Sequence, residues 1–250
     1  MKSLAGKNVL VTGATKGIGS EIVKYLHAEG ANIIGHYGND QRSAMLMYEK
    51  YKERLEFIQQ DLSNPDAPKQ LWKEALKLAG RIDVLVNNAG VYVSSELKDE
   101  QDWIKGWETN LQVNLQAPAD LCRYAIMHFQ ENGGGIIINM ASRSSHRGDG
   151  PEHLAYGAAK GGLLALTKGI ARGYGDKNIL AYALAPGWVR TSMADDLIAE
   201  YSEEVLAANL PLREITPPSD VAAMTAFLAT GACRHATGST IDITGADYVR

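Results

Sequence analysis

The chain has 250 residues, 45% of them hydrophobic and 25 of them glycine, enough to bury a sizeable core. Its formal charge of −4, with Lys and Arg scattered among acidic residues, excludes the basic tract that neutralising a nucleic-acid backbone requires. Two cysteines, Cys122 and Cys233, are too few for a disulfide framework or a thiolate metal centre, and the six histidines follow no metal-ligand spacing, so no metal is expected.

Short apolar runs recur at Asn8–Val11, Ala31–Gly35, Leu55–Gln59, Val84–Val86, Ile136–Asn139, Leu180–Leu184 and Thr240–Ile243. Their apolarity persists on both alternating faces, the pattern of strands buried in a parallel sheet. Between them Gly19–Gly30, Ala67–Gly80, Trp103–Asn132 and Ala155–Gly175 are amphipathic and long enough for helices. This alternation predicts an α/β fold, a doubly wound parallel sheet with helices on both faces. No linker, low-complexity block or repeat divides the chain, so one domain over residues 1–250 is expected. The stretch 192–218 breaks the rhythm. It sets Met193, Leu197, Ile198, Leu206, Leu210 and Leu212 among acidic residues and reads as a small helical flap over the substrate. The first residues lack an apolar signal core and no apolar run approaches the ~18 residues of a spanning helix, so a cytoplasmic protein with no membrane partner is expected.

Thr12–Gly19, reading T-G-A-T-K-G-I-G, follows the first strand directly. Glycines there let the backbone turn and approach closely, and the helix that begins next aims its amide groups outward, where they attract a pyrophosphate. Gly13, Thr15, Lys16, Gly17, Ile18 and Gly19 are therefore candidate dinucleotide contacts, although a glycine turn can also serve packing alone. Asp61-Leu62, after the third strand, can meet an adenine amino group. Asn87-Asn88-Ala89-Gly90, after the fourth, offers small residues for close approach and an Asn able to tie neighbouring strands. The end of the second strand, Gly35–Asn39, holds no carboxylate to repel a 2′-phosphate. Tyr37 takes the expected acidic position, and Lys16, Asn39 and Arg42 add donors, which favours NADP(H). Ordinary surface charges would leave NAD(H) open.

Tyr156 and Lys160 stand four residues apart, on one face of the predicted Ala155–Gly175 helix. There an ammonium can stabilise a phenolate and make the phenol a usable proton donor. Small residues at Gly157, Ala158, Ala159, Gly161 and Gly162 suit a helix that packs closely on a cofactor or another subunit.

Taken together the chain resembles the classical short-chain dehydrogenases/reductases. The resemblance rests on Thr12–Gly19, N-N-A-G at Asn87–Gly90, the segment Trp107–Asn114, Ser142, Y-x-x-x-K at Tyr156–Lys160, and P-G-W-V-R-T at Pro186–Thr191. It implies a Rossmann-like sheet of about seven strands, usually assembled as a homotetramer or homodimer. It also implies an oxidoreductase moving hydride between NADP(H) or NAD(H) and a small-molecule carbonyl or alcohol. Within it Tyr156 is the general acid or base, Lys160 lowers its pKa and holds the nicotinamide ribose, and Ser142 hydrogen-bonds the substrate oxygen. Asn114 positions a water in a proton relay, and Pro186, Gly187, Val189 and Thr191 orient the carboxamide. Ser144 or Ser145 competes with Ser142 for its role, and Asn110 with Asn114. Reduction of a 3-oxoacyl thioester is one substrate reading among several.

From Ser142 to Tyr156 the spacing is 14 residues, about one more than the resemblance implies, through a polar loop. Arg143 and His146 there can bind an anionic substrate group, or simply face solvent. Trp188 is a candidate lining of the substrate pocket. A serine hydrolase is disfavoured, since no strained G-x-S-x-G elbow or orienting acid accompanies the serines. The alternative from another class is a catalytically inactive dinucleotide-binding sensor or scaffold.

Overall fold

A computed structural model describes residues 3–191, 202–208 and 210–249. Seven parallel strands form one sheet in the order β3-β2-β1-β4-β5-β6-β7. They are β1 Asn8–Val11, β2 Asn32–Tyr37, β3 Leu55–Gln59, β4 Val84–Asn87, β5 Gly135–Met140, β6 Ile179–Pro186 and β7 Thr240–Ile243. Each predicted strand is present, with β2 and β6 running two residues beyond the apolar pattern. Among the described residues the α-helices in chain order are α1 Gly17–Ala28, α2 Gln41–Tyr51, α3 Ala67–Ala79, α4 Glu100–Leu111, α5 Ala117–Glu131, α6 Ser144–Arg147, α7 Leu154–Tyr174, α8 Glu203–Ala208 and α9 Pro218–Ala229.

Alternation along the strands feeds two cores. Val9 and Val11 of β1 pack with Ile22, Val23 and Leu26 of α1 and Val221 and Ala226 of α9. Leu10 between them points to the other face, against Leu71 and Trp72 of α3, Leu121 and Phe129 of α5 and Ile170 of α7. A period of two therefore buries both faces of a central strand, and at roughly 25 cal/mol per Å² of apolar surface this two-sided burial is the main force holding the sheet. Local signals end the helices: Pro68 sits in the first turn of α3, and Gly80 closes it at φ +68° with its N–H on Leu76 O.

The predicted single helix Trp103–Asn132 is instead α4 and α5 joined by a π-helical turn at Gln112–Gln116. Pro118 explains the break. It has no N–H to give the carbonyl four residues back, at Asn114, and its ring crowds that carbonyl, so the turn widens.

Of the predicted flap, residues 192–201 and 209, with Met193, Leu197 and Ile198, lie outside the described residues. Leu210 is buried beyond α8 and Leu212 is exposed. Among the described residues no helix is long and apolar enough to cross a membrane.

Candidate active site

At the end of β1 the backbone folds into a cradle that no side chain could share. Gly13 and Gly17 adopt φ +62° and +47°, in the left-handed region that glycine enters without strain. A Cβ on Gly13 would stand 2.9 Å from Ala89 Cα, and one on Gly19 only 1.9 Å from Gly13 O. The cradle is tied from three sides. Thr12 Oγ1 accepts from the amides of Asn88 and Ala89, both at 2.9 Å, and Asn88 Nδ2 donates to Thr12 O at 2.9 Å and Gly13 O at 3.0 Å. From β2, His36 Nδ1 accepts the Gly13 amide at 3.2 Å while Nε2 lies 2.9 Å from Gln60 O. That pair of bonds requires the proton on Nε2 and a neutral ring. Burial agrees, pushing the imidazole down to about 4.

Above the cradle a cavity of about 540 Å³ crosses the carboxyl ends of the strands, where the strand order reverses between β1 and β4. No side chain caps the start of α1 at Lys16, which leaves first-turn amides free to meet an anion. A crevice of backbone amides and glycines at a switch point fits a dinucleotide.

The cavity brings together nearly all the predicted cofactor residues. Gly13, Thr15, Lys16, Gly17, Ile18 and Gly19 form its floor. Asn39, Asp61 and Leu62 line one end, Asn88, Ala89 and Gly90 the middle, and Pro186, Gly187, Val189 and Thr191 the far side. Tyr37 is the exception. It is absent from the lining and packs edge-on against Phe57, with ring centroids 5.9 Å apart, because β2 turns its side chain to the other side of the strand end. The carboxylate that Gly35–Asn39 lacks is supplied by the next residue: Asp40 lines the cavity and accepts from Lys16 Nζ at 2.8 Å. Lys16 and the Ser43 cap of α2 hold that carboxyl down at about 2.

The reaction end is built from side chains. Tyr156 and Lys160 share one face of α7, with Nζ 5.8 Å from the phenol ring centroid. Lys160 is buried and donates to Met140 O at 2.8 Å, and burial pulls its ammonium down to about 8. Burial pushes the Tyr156 phenol up to about 12, a hydrogen bond with Ser142 and the charge of Arg143 draw it down, and Asp149 raises it further. The phenol is thus protonated at neutral pH, the form an acid needs. Ser142 Oγ accepts from the Ser144 amide at 3.1 Å, so the Ser142 hydrogen is left to point elsewhere.

Asn114 sits in the π turn, fully buried behind the cavity rather than on it. Its Oδ1 accepts the Val91 amide at 3.0 Å and its Nδ2 donates to Val91 O at 2.9 Å and Asn110 Oδ1 at 3.1 Å. The missing side chain of Gly90 joins it to Lys160: a Cβ there would be 2.9 Å from Asn114 Oδ1 and 3.3 Å from Lys160 Nζ.

Arg143 does not face solvent. It is buried, ion-paired with Asp247 near the C-terminus, and stacked 4.7 Å over the Trp188 ring. Arg143 and Trp188 both line the cavity, and the guanidinium already has its carboxylate. His36, Thr12, Asp40, Tyr92, Asp149 and Asp247 were not singled out by the sequence. Only Asp40 carried a readable signal, as an acid ahead of Ser43 at a helix start. The predicted strand tie is found, with Asn87 Nδ2 donating to Asn139 Oδ1 at 2.8 Å between β4 and β5.

Comparison with known proteins places this geometry in context. The family described as Enoyl-(Acyl carrier protein) reductase matches residues 13–245. The 3-oxoacyl-[acyl-carrier-protein] reductase FabG of Staphylococcus aureus strain Mu50 is 32% identical, over 97% of this chain and 98% of its own length. A blue fluorescent protein from a metagenomic library, solved in complex with NADPH, is 33% identical with a TM-score of 0.88, covering 99% of this chain and 100% of that one. A short-chain dehydrogenase/reductase of Brucella melitensis, described as a glucose/ribitol dehydrogenase, is 27% identical with a TM-score of 0.88 over 100% of both chains.

Proposed function

Because the chain belongs to the classical short-chain dehydrogenase/reductase family, the NAD(P)-dependent oxidoreductases of C=O and CH–OH groups, we propose that Tyr156 moves the proton in a hydride transfer to or from a small carbonyl or alcohol substrate. One observation carries this reading: Tyr156 and Lys160 of α7 and Ser142 from beyond β5 line the same cavity as the glycine cradle. When bound, the nicotinamide supplies the hydride that becomes the new C–H bond of the product. Tyr156 Oη donates the proton that completes the alcohol, and takes it back in the reverse direction. Ser142 donates a hydrogen bond to the same oxygen and fixes its approach. Lys160 holds the ribose and keeps positive charge beside the phenol. Asn114 braces the backbone at Val91 and Gly90, against which Lys160 rests.

NADP(H) is the favoured cofactor, supported by Lys16 in the glycine turn and by the likeness to the protein solved with NADPH. A second reading, NAD(H), is favoured by Asp40, whose carboxylate already holds Lys16. The segment 192–218 is the substrate cover in this proposal, and the assembly a homotetramer or homodimer. Substrates range from simple ketones to 3-oxoacyl thioesters, the latter suggested by the likeness to the reductase of S. aureus.

The test is to mix purified protein with NADPH or NADH and ketones, aldehydes, sugars and 3-oxoacyl thioesters, following nicotinamide absorbance. Turnover that Tyr156→Phe lowers about 10³-fold is expected. Tight nicotinamide binding with no turnover on the whole panel would make the protein a sensor or scaffold.

A further inference from the structure

The long polar loop between Ser142 and Tyr156 contains a side chain that touches both arms of the site. Asp149 follows Gly148, whose φ of +77° swings the chain back toward the cavity that Asp149 lines. Its Oδ2 accepts from Ser144 Oγ at 2.6 Å, and the Ser144 amide in turn donates to Ser142 Oγ at 3.1 Å. Its Oδ1 accepts from the Gly150 amide at 2.9 Å and from Tyr92 Oη at 3.3 Å. Tyr92 meets the Tyr156 ring edge-on, centroids 4.8 Å apart at 88°, and is backed on its other side by His153, stacked at 3.6 Å. Two independent paths therefore run from one carboxylate to the two groups that meet the substrate oxygen.

We propose that Asp149 is a positioning residue: its carboxylate sets the Ser142 hydroxyl through Ser144 and the Tyr156 ring through Tyr92, so that one anchor fixes both groups against the substrate oxygen. This rests on the reading of Tyr156 as the proton donor. The physics is that of an over-determined hydroxyl. Ser142 Oγ, held as an acceptor by a fixed amide, keeps its own hydrogen to donate to the substrate oxygen beside Tyr156. Ser144 cannot rotate away, because a charged oxygen holds it by a short bond. Tyr92 is a rigid plate, its hydroxyl tied to Asp149 and its ring clamped between His153 and Tyr156. The charged groups facing Tyr156 are Lys160 from its own helix and Arg143 and Asp149 from the loop, with Tyr92 following β4. Arg143 and Lys160 are cations and favour the phenolate, which leaves Asp149 as the charge that favours the protonated phenol.

Two readouts test this: kcat against pH for reduction of a carbonyl found by the panel, and the pH midpoint of tyrosinate absorbance measured against a Tyr156→Phe background. Asp149→Asn removes the charge and one acceptor. It should lower kcat about tenfold by loosening Ser142, move the basic limb and the tyrosinate midpoint down by about one unit, and leave NADPH affinity within about twofold. Asp149→Glu keeps the charge and should hold both midpoints in place. Ser144→Ala and Tyr92→Phe each cut one arm and should lower kcat by about twofold to fivefold with the limb unmoved. If Asp149→Asn leaves kcat unchanged, or lowers it with limb and midpoint unmoved while Ser144→Ala and Tyr92→Phe leave kcat unchanged, Asp149 is loop packing only and the proposal fails. If the wild-type protein turns over no carbonyl, the parent reading fails, and the tyrosinate midpoint still decides whether Asp149 acts on Tyr156.

Discussion

At the glycine cradle the crevice is made of backbone, whereas at the start of α7 it is made of side chains. Around Gly13 the contacts are amides and carbonyls held by Thr12, Asn88 and a neutral His36, and no charged side chain is needed to keep the turn in shape. Around Tyr156, besides the Ser142 hydroxyl, the neighbours titrate or carry charge: Lys160, Arg143, Asp149, Tyr92. Backbone geometry is insensitive to pH and intolerant of a Cβ. A side-chain cluster tolerates changes of size and responds to charge. The two ends should therefore fail in different ways, and the largest effect belongs to the side-chain end. Tyr156→Phe keeps the ring against Tyr92 and removes only the proton donor, so kcat should fall about 10³-fold. NADPH affinity, measured by fluorescence titration, should stay within about twofold. A matching loss of affinity would mean that the two ends are not separable.

The same division decided what could be read from residue types alone. Gly13, Gly17 and Gly19 were legible because only glycine fits such a turn, and Tyr156 and Lys160 because helical spacing puts them on one face. The strands were legible because burial on both faces leaves an unbroken apolar run. His36 and Asp149 were not legible. One is a histidine inside an apolar strand and the other an acid in a polar loop, and each matters through partners distant in sequence: Gly13 for the first, Tyr92 for the second. Tyr37 was misplaced for a smaller reason, the side of the strand end to which its side chain turns. The break at Asn114 was written in Pro118, four residues on, but the amphipathic pattern runs straight through it.

His36 provides a pH test at the end that should otherwise ignore pH. Its folded pKa of about 4 lies below the unfolded value of 6.5. As pH falls below 6.5 the unfolded chain takes up the proton first, so the contribution is fully present above that value and is lost on the way down to about 4. The loss is on the order of 3 kcal/mol. Urea unfolding at neutral and acidic pH should show this dependence in the wild-type protein, beyond what its carboxylates contribute, and a flatter one in His36→Gln. Equal slopes would mean that the Gly13 amide is held by something other than this imidazole.

Gly19→Ala probes the same turn by size. The added methyl would lie 1.9 Å from Gly13 O and 2.6 Å from Asn88 Nδ2, and the first of these is backbone that cannot swing aside. The turn must open, at a cost of about 2 kcal/mol in stability, and dinucleotide affinity should fall at least as steeply because the same atoms form the floor. Unfolding midpoints and NADPH titration measure both. A variant with native stability and affinity would show that the cradle is softer than its hydrogen bonds indicate.

Lys16 is where the two kinds of construction overlap, a charged side chain standing on the backbone cradle. Its ammonium meets Asp40 at 2.8 Å, and both side chains reach the cavity at the end lined by Asn39 and Asp61. A 2′-phosphate would compete with Asp40 for that ammonium, whereas ribose hydroxyls would accept no charge from it and would instead donate to the carboxylate. Lys16→Ala should therefore weaken NADPH binding about tenfold while changing NADH by less than about twofold. The difference should shrink as salt is raised, because the pair is partly exposed. Asp40→Ala should act in the opposite sense, freeing Lys16 for the phosphate and removing the acceptor that NADH would use. If Lys16→Ala leaves NADPH binding unchanged while Asp40→Ala weakens NADH, the carboxylate governs this end of the crevice and the cofactor is NAD(H).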